Sequence, residues 1–138
     1  AEHHDDGFLE PREIARLHFG ARVIVLSACD TAVGRLQGQV GVANLARAFL
    51  QAGADSVIST LWPVDDMDSL FLMQAFYKHL VSGDDVASAL ALAKRDLLSK
   101  LGREDASPSS WAGFVLLGNG DSTLRNTQAA HLRGLTIQ

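Results

Sequence analysis

The chain's one cysteine, Cys29, stands where an apolar run ends. Val23 to Ala28 reads V-I-V-L-S-A, Asp30 and Thr31 follow the thiol, and glycines come next at 34, 38 and 41. A thiol at a strand end, partly open to solvent and close to backbone N–H groups, ionises more readily and acts as a nucleophile. The same residue can instead fill space, because free cysteine is among the most buried residue types. Position alone leaves both readings open. A second polar cluster, Trp62-Pro63-Val64-Asp65-Asp66, follows the next apolar run.

The elements that must position these groups are legible in the hydrophobic pattern. Pro11 suits the first turn of a helix that Gly20 can stop. Ala21 to Ala28 and Asp55 to Leu61 read as strands covered on both faces, being apolar and rich in Val and Ile. Between them Val42, Leu45, Ala46, Phe49 and Leu50 form one stripe of an amphipathic helix closed by Gly53. Asp65 or Asp66 caps a helix predicted to run to about Val81, and Gly83 ends it. Asp84 or Asp85 starts another, with a stripe of Val86, Leu90, Ala93, Leu97 and Leu101. Residues 102–110 read as a loop, Trp111 to Leu117 as a third strand, and the polar stretch 119–138 as a flexible tail.

Strands bridged by helices predict an α/β fold with parallel pairing. Sites in such sheets form beyond the carboxyl ends of the strands, so the loops after Cys29 and Leu61 are expected to line one rim. Three strands make a narrow sheet. The expectation is an unpaired edge and uncovered apolar helix faces, hence a homo-oligomer or a part of a larger domain.

Bulk properties exclude several functions. The 138 residues are 47% hydrophobic and 20% charged, enough for one domain with a real core. A net charge of −4 gives no electrostatic footprint for nucleic acid or an anionic membrane. No apolar run reaches membrane-spanning length, and "AEHHDDG" lacks the layout of a signal peptide. One cysteine forms no internal disulfide and no thiolate zinc site, which fits a cytoplasmic protein.

At this point the motifs themselves are informative. "VIVLSACDTAVG", "GVANLARAFLQAGADSVISTLWPVDD", "FYKHL" and "WAGFVLLG", in this order, resemble the CHAT domain family. These are caspase-like, separase-related cysteine peptidases of clan CD, often joined to tetratricopeptide repeats. The resemblance spans about Leu9 to Gly118. It implies a caspase-like three-layer sandwich with a mostly parallel sheet and helices on both faces, incomplete in this chain. Residues 1–118 would be the C-terminal portion of that domain.

In the family the Cys of the S-A-C-[DE]-T motif is the nucleophile, a role that falls on Cys29. The family's general base is a His in an H-G pair ending an earlier strand. None of His3, His4, His18, His79 and His131 is followed by Gly, so the resemblance implies a base outside this chain, upstream or on a companion subunit. The implied activity of the intact domain is peptide-bond hydrolysis by a cysteine endopeptidase, with no metal or organic cofactor, and with this chain inactive alone. The alternative is a catalytically silent protein-interaction module of the same fold. Implied partners are a protein or peptide substrate, the upstream half or a companion subunit, and a tetratricopeptide-repeat region. Such domains are common in bacteria, which suggests a bacterial source.

Asp30, Asp65 and Asp66 are candidate acids for a pocket that takes Arg or Lys before the cut, with Trp62 as its wall. The competing roles are helix capping for Asp65 and Asp66, loop hydrogen bonding for Asp30, and packing onto the sheet for Trp62. The glycines at 34, 38 and 41 match no phosphate-loop pattern, and Glu2 to Asp6 reads as a hydrated end rather than a metal site.

Overall fold

The computed structural model describes residues 10–18, 20–26 and 38–124. In chain order they form α1 (Pro11–Ile14), β1 (Val23–Leu26), α2 (Gly38–Gln51), β2 (Ser56–Thr60), α3 (Asp66–Ser82), α4 (Val86–Asp105), α5 (Pro108–Trp111) and β3 (Phe114–Gly118). Cys29, Asp30, Gly34, His3, His4, His131 and the tail beyond Leu124 lie outside the described residues.

Side-chain alternation divides the molecule into layers. Successive strand residues point to opposite faces. Ile58, Val23, Val25 and Phe114 accordingly pack with Leu72, Phe76, Val86 and Leu97 of α3 and α4. Val57, Ile24, Leu26 and Leu117 pack on the other face with Ile14 of α1, Ala46 and Phe49 of α2, and Ala52 just past its end. Helices thus cover both faces of the sheet, in an α/β fold.

β2 is central and buried throughout, between β1 and β3. β1 runs parallel to it, Val23 opposite Ser56 through Leu26 opposite Ser59. β3 runs antiparallel, Ser56 opposite Gly118 through Thr60 opposite Phe114. The expectation of parallel pairing throughout is therefore corrected for this pair. One long helix, α2, joins β1 to β2 and brings the chain back to start a parallel strand. Two long helices, α3 and α4, join β2 to β3, and the three reversals they make, an odd number, deliver an antiparallel one.

The hairpin of α3 and α4 is set by its caps. Gly83 closes α3 at φ 106°, a left-handed conformation that a side chain would strain. The first amides of α4 all find acceptors: Val86 N–H donates to Ser122 O, Ala87 N–H to Gly120 O, and Ser88 N–H to the Asp85 carboxylate at 2.7 Å. Residues 119–124, expected to begin a flexible tail, are ordered by these bonds and by Asn119 N–H on Asp55 O. His79 Nε2 ties α3 to Asp96 of α4 at 2.7 Å.

Two other expectations change. α1 is a single turn: beyond Ile14 only the small Ala15 packs on the core among the described residues 15–18, and Leu17 is exposed. The expected loop over 102–110 is mostly helical: α4 continues past a non-helical Gly102, and Ser107 and Pro108 start α5 by capping it.

Asp85 supplies a pH test. The Ser88 backbone N–H, followed by the Ser88 hydroxyl, holds its carboxyl below the ordinary 3.8. A depressed folded value stabilises the fold above the unfolded value, and that stabilisation is lost as pH falls through the folded one. Asp85→Asn is expected to flatten the acid limb of thermal stability between about pH 5 and pH 2, as read by melting curves across that range.

Candidate active site

Because β1 and β2 are parallel, their carboxyl ends open at the same edge of the sheet. Cys29 and Asp30 lie outside the described residues. Cys29 follows Leu26 by three positions, just as Trp62 follows Leu26's partner Ser59 by three.

The loop leaving β2 is held from several sides. Leu61 N–H donates to Gly113 O at 2.9 Å. The Trp62 ring lies flat against Gly113, where an added Cβ would come within 2.8 Å of the ring. Its indole N–H donates to Ser109 O at 3.0 Å. Val64, buried, anchors the loop from below. Trp62 is half-buried, packed down on the start of β3 with part of the ring left facing solvent.

The two acids differ in what they do. Asp65 is the N-cap of α3, its carboxylate accepting from Met67 N–H at 2.9 Å and Asp68 N–H at 3.2 Å. Asp66 is exposed, and its side chain makes no ion pair or hydrogen bond among the described residues. With Asp68 they set three carboxylates in four positions at the helix start, where the helix dipole favours negative charge.

Sequence reading passed over the groups that fix this loop. Gly113 and Ser109 carry no chemistry of their own, and they meet Trp62 across about fifty residues of chain. Lys94 of α4 reaches Phe114 O at 2.6 Å beneath the same region, and desolvation pushes its pKa below the ordinary 10.5. Ser59 Oγ is buried and has no hydrogen-bond partner among the described residues. The signal for Ser59 is a hydroxyl on a strand buried throughout, where Ser56 and Thr60 also carry one.

Neither described histidine can reach the rim. His79 lies thirteen residues along α3 from Asp66, about 20 Å at 1.5 Å per residue. His18 precedes the amino end of β1, opposite the rim. Among the described residues no group of three His, Cys, Asp or Glu side chains is arranged to hold a metal ion. No described helix is long and apolar enough to cross a membrane.

Comparison with known families is decisive for kinship: the CHAT domain model matches residues 1–119. The chain belongs to the CHAT domain family. This CHAT domain is 35% identical over 111 residues to Tetratricopeptide repeat protein 28 of Mus musculus, and 33% identical over 111 residues to that of Homo sapiens. Each alignment covers 80% of this chain and 4% of the relative, so the chain spans a small fraction of the curated relatives it matches. No solved structure matches it.

Proposed function

We propose that this CHAT domain is the nucleophile-bearing portion of a caspase-like cysteine endopeptidase. The observation that carries the reading is the S-A-C-D-T motif, which lies inside the stretch matched to the family and begins one residue after β1 ends at Leu26. Supporting it is the parallel register that opens β1 and β2 on one edge, where α/β sheets hold their sites.

The chemistry is acyl transfer. A histidine supplied from outside this chain takes the Cys29 thiol proton, and the thiolate adds to the scissile carbonyl carbon. The oxyanion is held by the Cys29 backbone N–H and a second one beside the histidine. Collapse breaks the C–N bond, the leaving amine takes the proton from the imidazolium, and a thioester remains. Water, deprotonated by the same imidazole, then releases the acid and restores the thiol.

The acids at the start of α3 supply the selectivity. Asp65 is oriented by the helix cap through Oδ1, so Asp66 and Asp30 are the leading carboxylates for a basic side chain before the cut, with the open part of Trp62 beside them. A panel of fluorogenic peptides on the full-length polypeptide tests this. Arg and Lys are expected to be preferred, and Asp66→Asn should lower kcat/KM for the Arg substrate about fivefold, the effect of losing about 1 kcal/mol from a half-exposed ion pair. Preference for an acidic or apolar residue there overturns the basic pocket.

A second reading, an interaction module without catalysis, is favoured by one feature of α3. Met67, Leu70, Tyr77 and Val81 are 65%, 52%, 49% and 77% exposed, and their spacing puts them on one face of the helix. Beside this stripe lies β1, which among the described residues pairs only with β2. The relatives are tetratricopeptide repeat proteins, and a helical repeat of the same polypeptide would cover such a stripe. Hydrogen exchange on the full-length polypeptide separates the readings: protection of α3 with no peptide hydrolysis supports the module, and hydrolysis abolished by substituting Cys29 supports the peptidase.

A further inference from the structure

The outer faces of α1 and α2 meet in a groove of about 520 Å³ whose lining, among the described residues, includes no acidic side chain. Arg12, Arg16 and Arg47 stand along it with the amides of Asn44 and Gln51, over a floor of Ala15 and Ala48. On α2 the positions 44, 47, 48 and 51 are spaced as one helix face. Three guanidinium groups in one groove stand out in a chain with 16 acidic and 12 basic residues.

The charges are only partly compensated. Arg12 is paired with Glu10 at 2.6 Å. Arg16 and Arg47 make no ion pair among the described residues. A guanidinium fork matches a carboxylate through two parallel hydrogen bonds, and the flanking amides can bond a peptide backbone. The small side chains of the floor let an extended chain come close. The volume suits a short segment rather than a single ion.

We infer that this groove docks an acidic peptide segment of a partner protein, one carrying two or more carboxylates within about four residues. Nucleic acid fits less well. Among the described residues the groove offers no aromatic side chain for base stacking, and two arginines without an ion pair there are far from a track for a phosphate backbone. The groove faces outward from the α1/α2 layer beside the second half of α2, whose far end leads into β2 away from the rim. Occupation of it leaves the rim open, so the site is independent of the peptidase reading.

The test is fluorescence anisotropy on the full chain with a labelled peptide of alternating Glu and Asp. A Gln/Asn peptide of equal length and a single-stranded oligonucleotide of equal charge serve as comparisons. The acidic peptide is expected to bind and to weaken as salt is raised, because the contacts are exposed charges. The double substitution Arg16→Glu and Arg47→Glu should lower its affinity by about tenfold or more, a loss of about 1.4 kcal/mol. Both side chains are exposed, so circular dichroism and melting temperature should not change. Equal affinity in the charge-reversed chain, tighter binding of the oligonucleotide, equal binding of the Gln/Asn peptide, or no saturable binding each overturns the inference.

Discussion

Replacing Cys29 by alanine in the full-length CHAT polypeptide is expected to lower peptide hydrolysis by about a thousandfold or more, with KM little changed. The Cys29 sulfur is the only protein atom in the proposed cycle that bonds to substrate carbon. Its removal leaves binding and the oxyanion donors but no route to a thioester. The loss should fall on kcat, since the substrate contacts proposed for Trp62 and Asp66 would survive. A serine at position 29 should retain little of the activity, because an imidazole matched to a thiol is poorly matched to an alcohol of much higher pKa. The measurement is steady-state hydrolysis of the preferred fluorogenic peptide by wild type, alanine and serine variants. Hydrolysis undiminished in the alanine variant removes Cys29 from the mechanism.

The largest effect on stability is expected at Phe76. Its ring is fully buried in the middle of α3, in the cluster that contains Ile58 of β2 and Leu90 and Leu97 of α4. Truncation to alanine removes the apolar contacts and leaves a cavity that packed neighbours only partly fill, a cost of about 3–5 kcal/mol. Against a total of about 5–15 kcal/mol for a typical domain, that is a large fraction. The melting temperature should drop by about 10 °C or more. Tyr77, its neighbour, is half exposed, and Tyr77→Ala should cost far less. Equal losses at the two positions, measured by denaturant unfolding, would contradict the assignment of α3's inner and outer faces.

The helices were legible because their signals are local. Val86, Leu90, Ala93 and Leu97 fall at helical spacing and are the buried face of α4, and Asp65, Gly83 and Asp85 stand at the ends they mark. The direction of β3 was not read. An apolar strand looks the same in either direction, and only counting the two helices before it gives the answer. The start of α5 was written in Ser107-Pro108, yet the polar run around it reads as loop. The anchoring of residues 119–124 depends on Asp55 and the first turn of α4, far away in sequence.

The site divides in the same way. Trp62, Asp65 and Asp66 could be named as rim residues from their place after a strand. What Trp62 does was decided by Gly113 and Ser109, which no local pattern links to it. The Asp65 cap was one of two readings open in the sequence, and the two amide hydrogen bonds distinguish its role from that of Asp66. For Cys29 the motif and the family carry the argument.

The most direct test of the peptidase proposal is the rate at which Cys29 is alkylated by iodoacetamide in the native full-length polypeptide, followed by mass spectrometry across pH. A poised thiolate predicts labelling at neutral pH faster than that of a free thiol, with an inflection below the ordinary cysteine value of about 8.5. Labelling that begins only after the chain is unfolded in urea would show a packed, inert thiol and contradict the account.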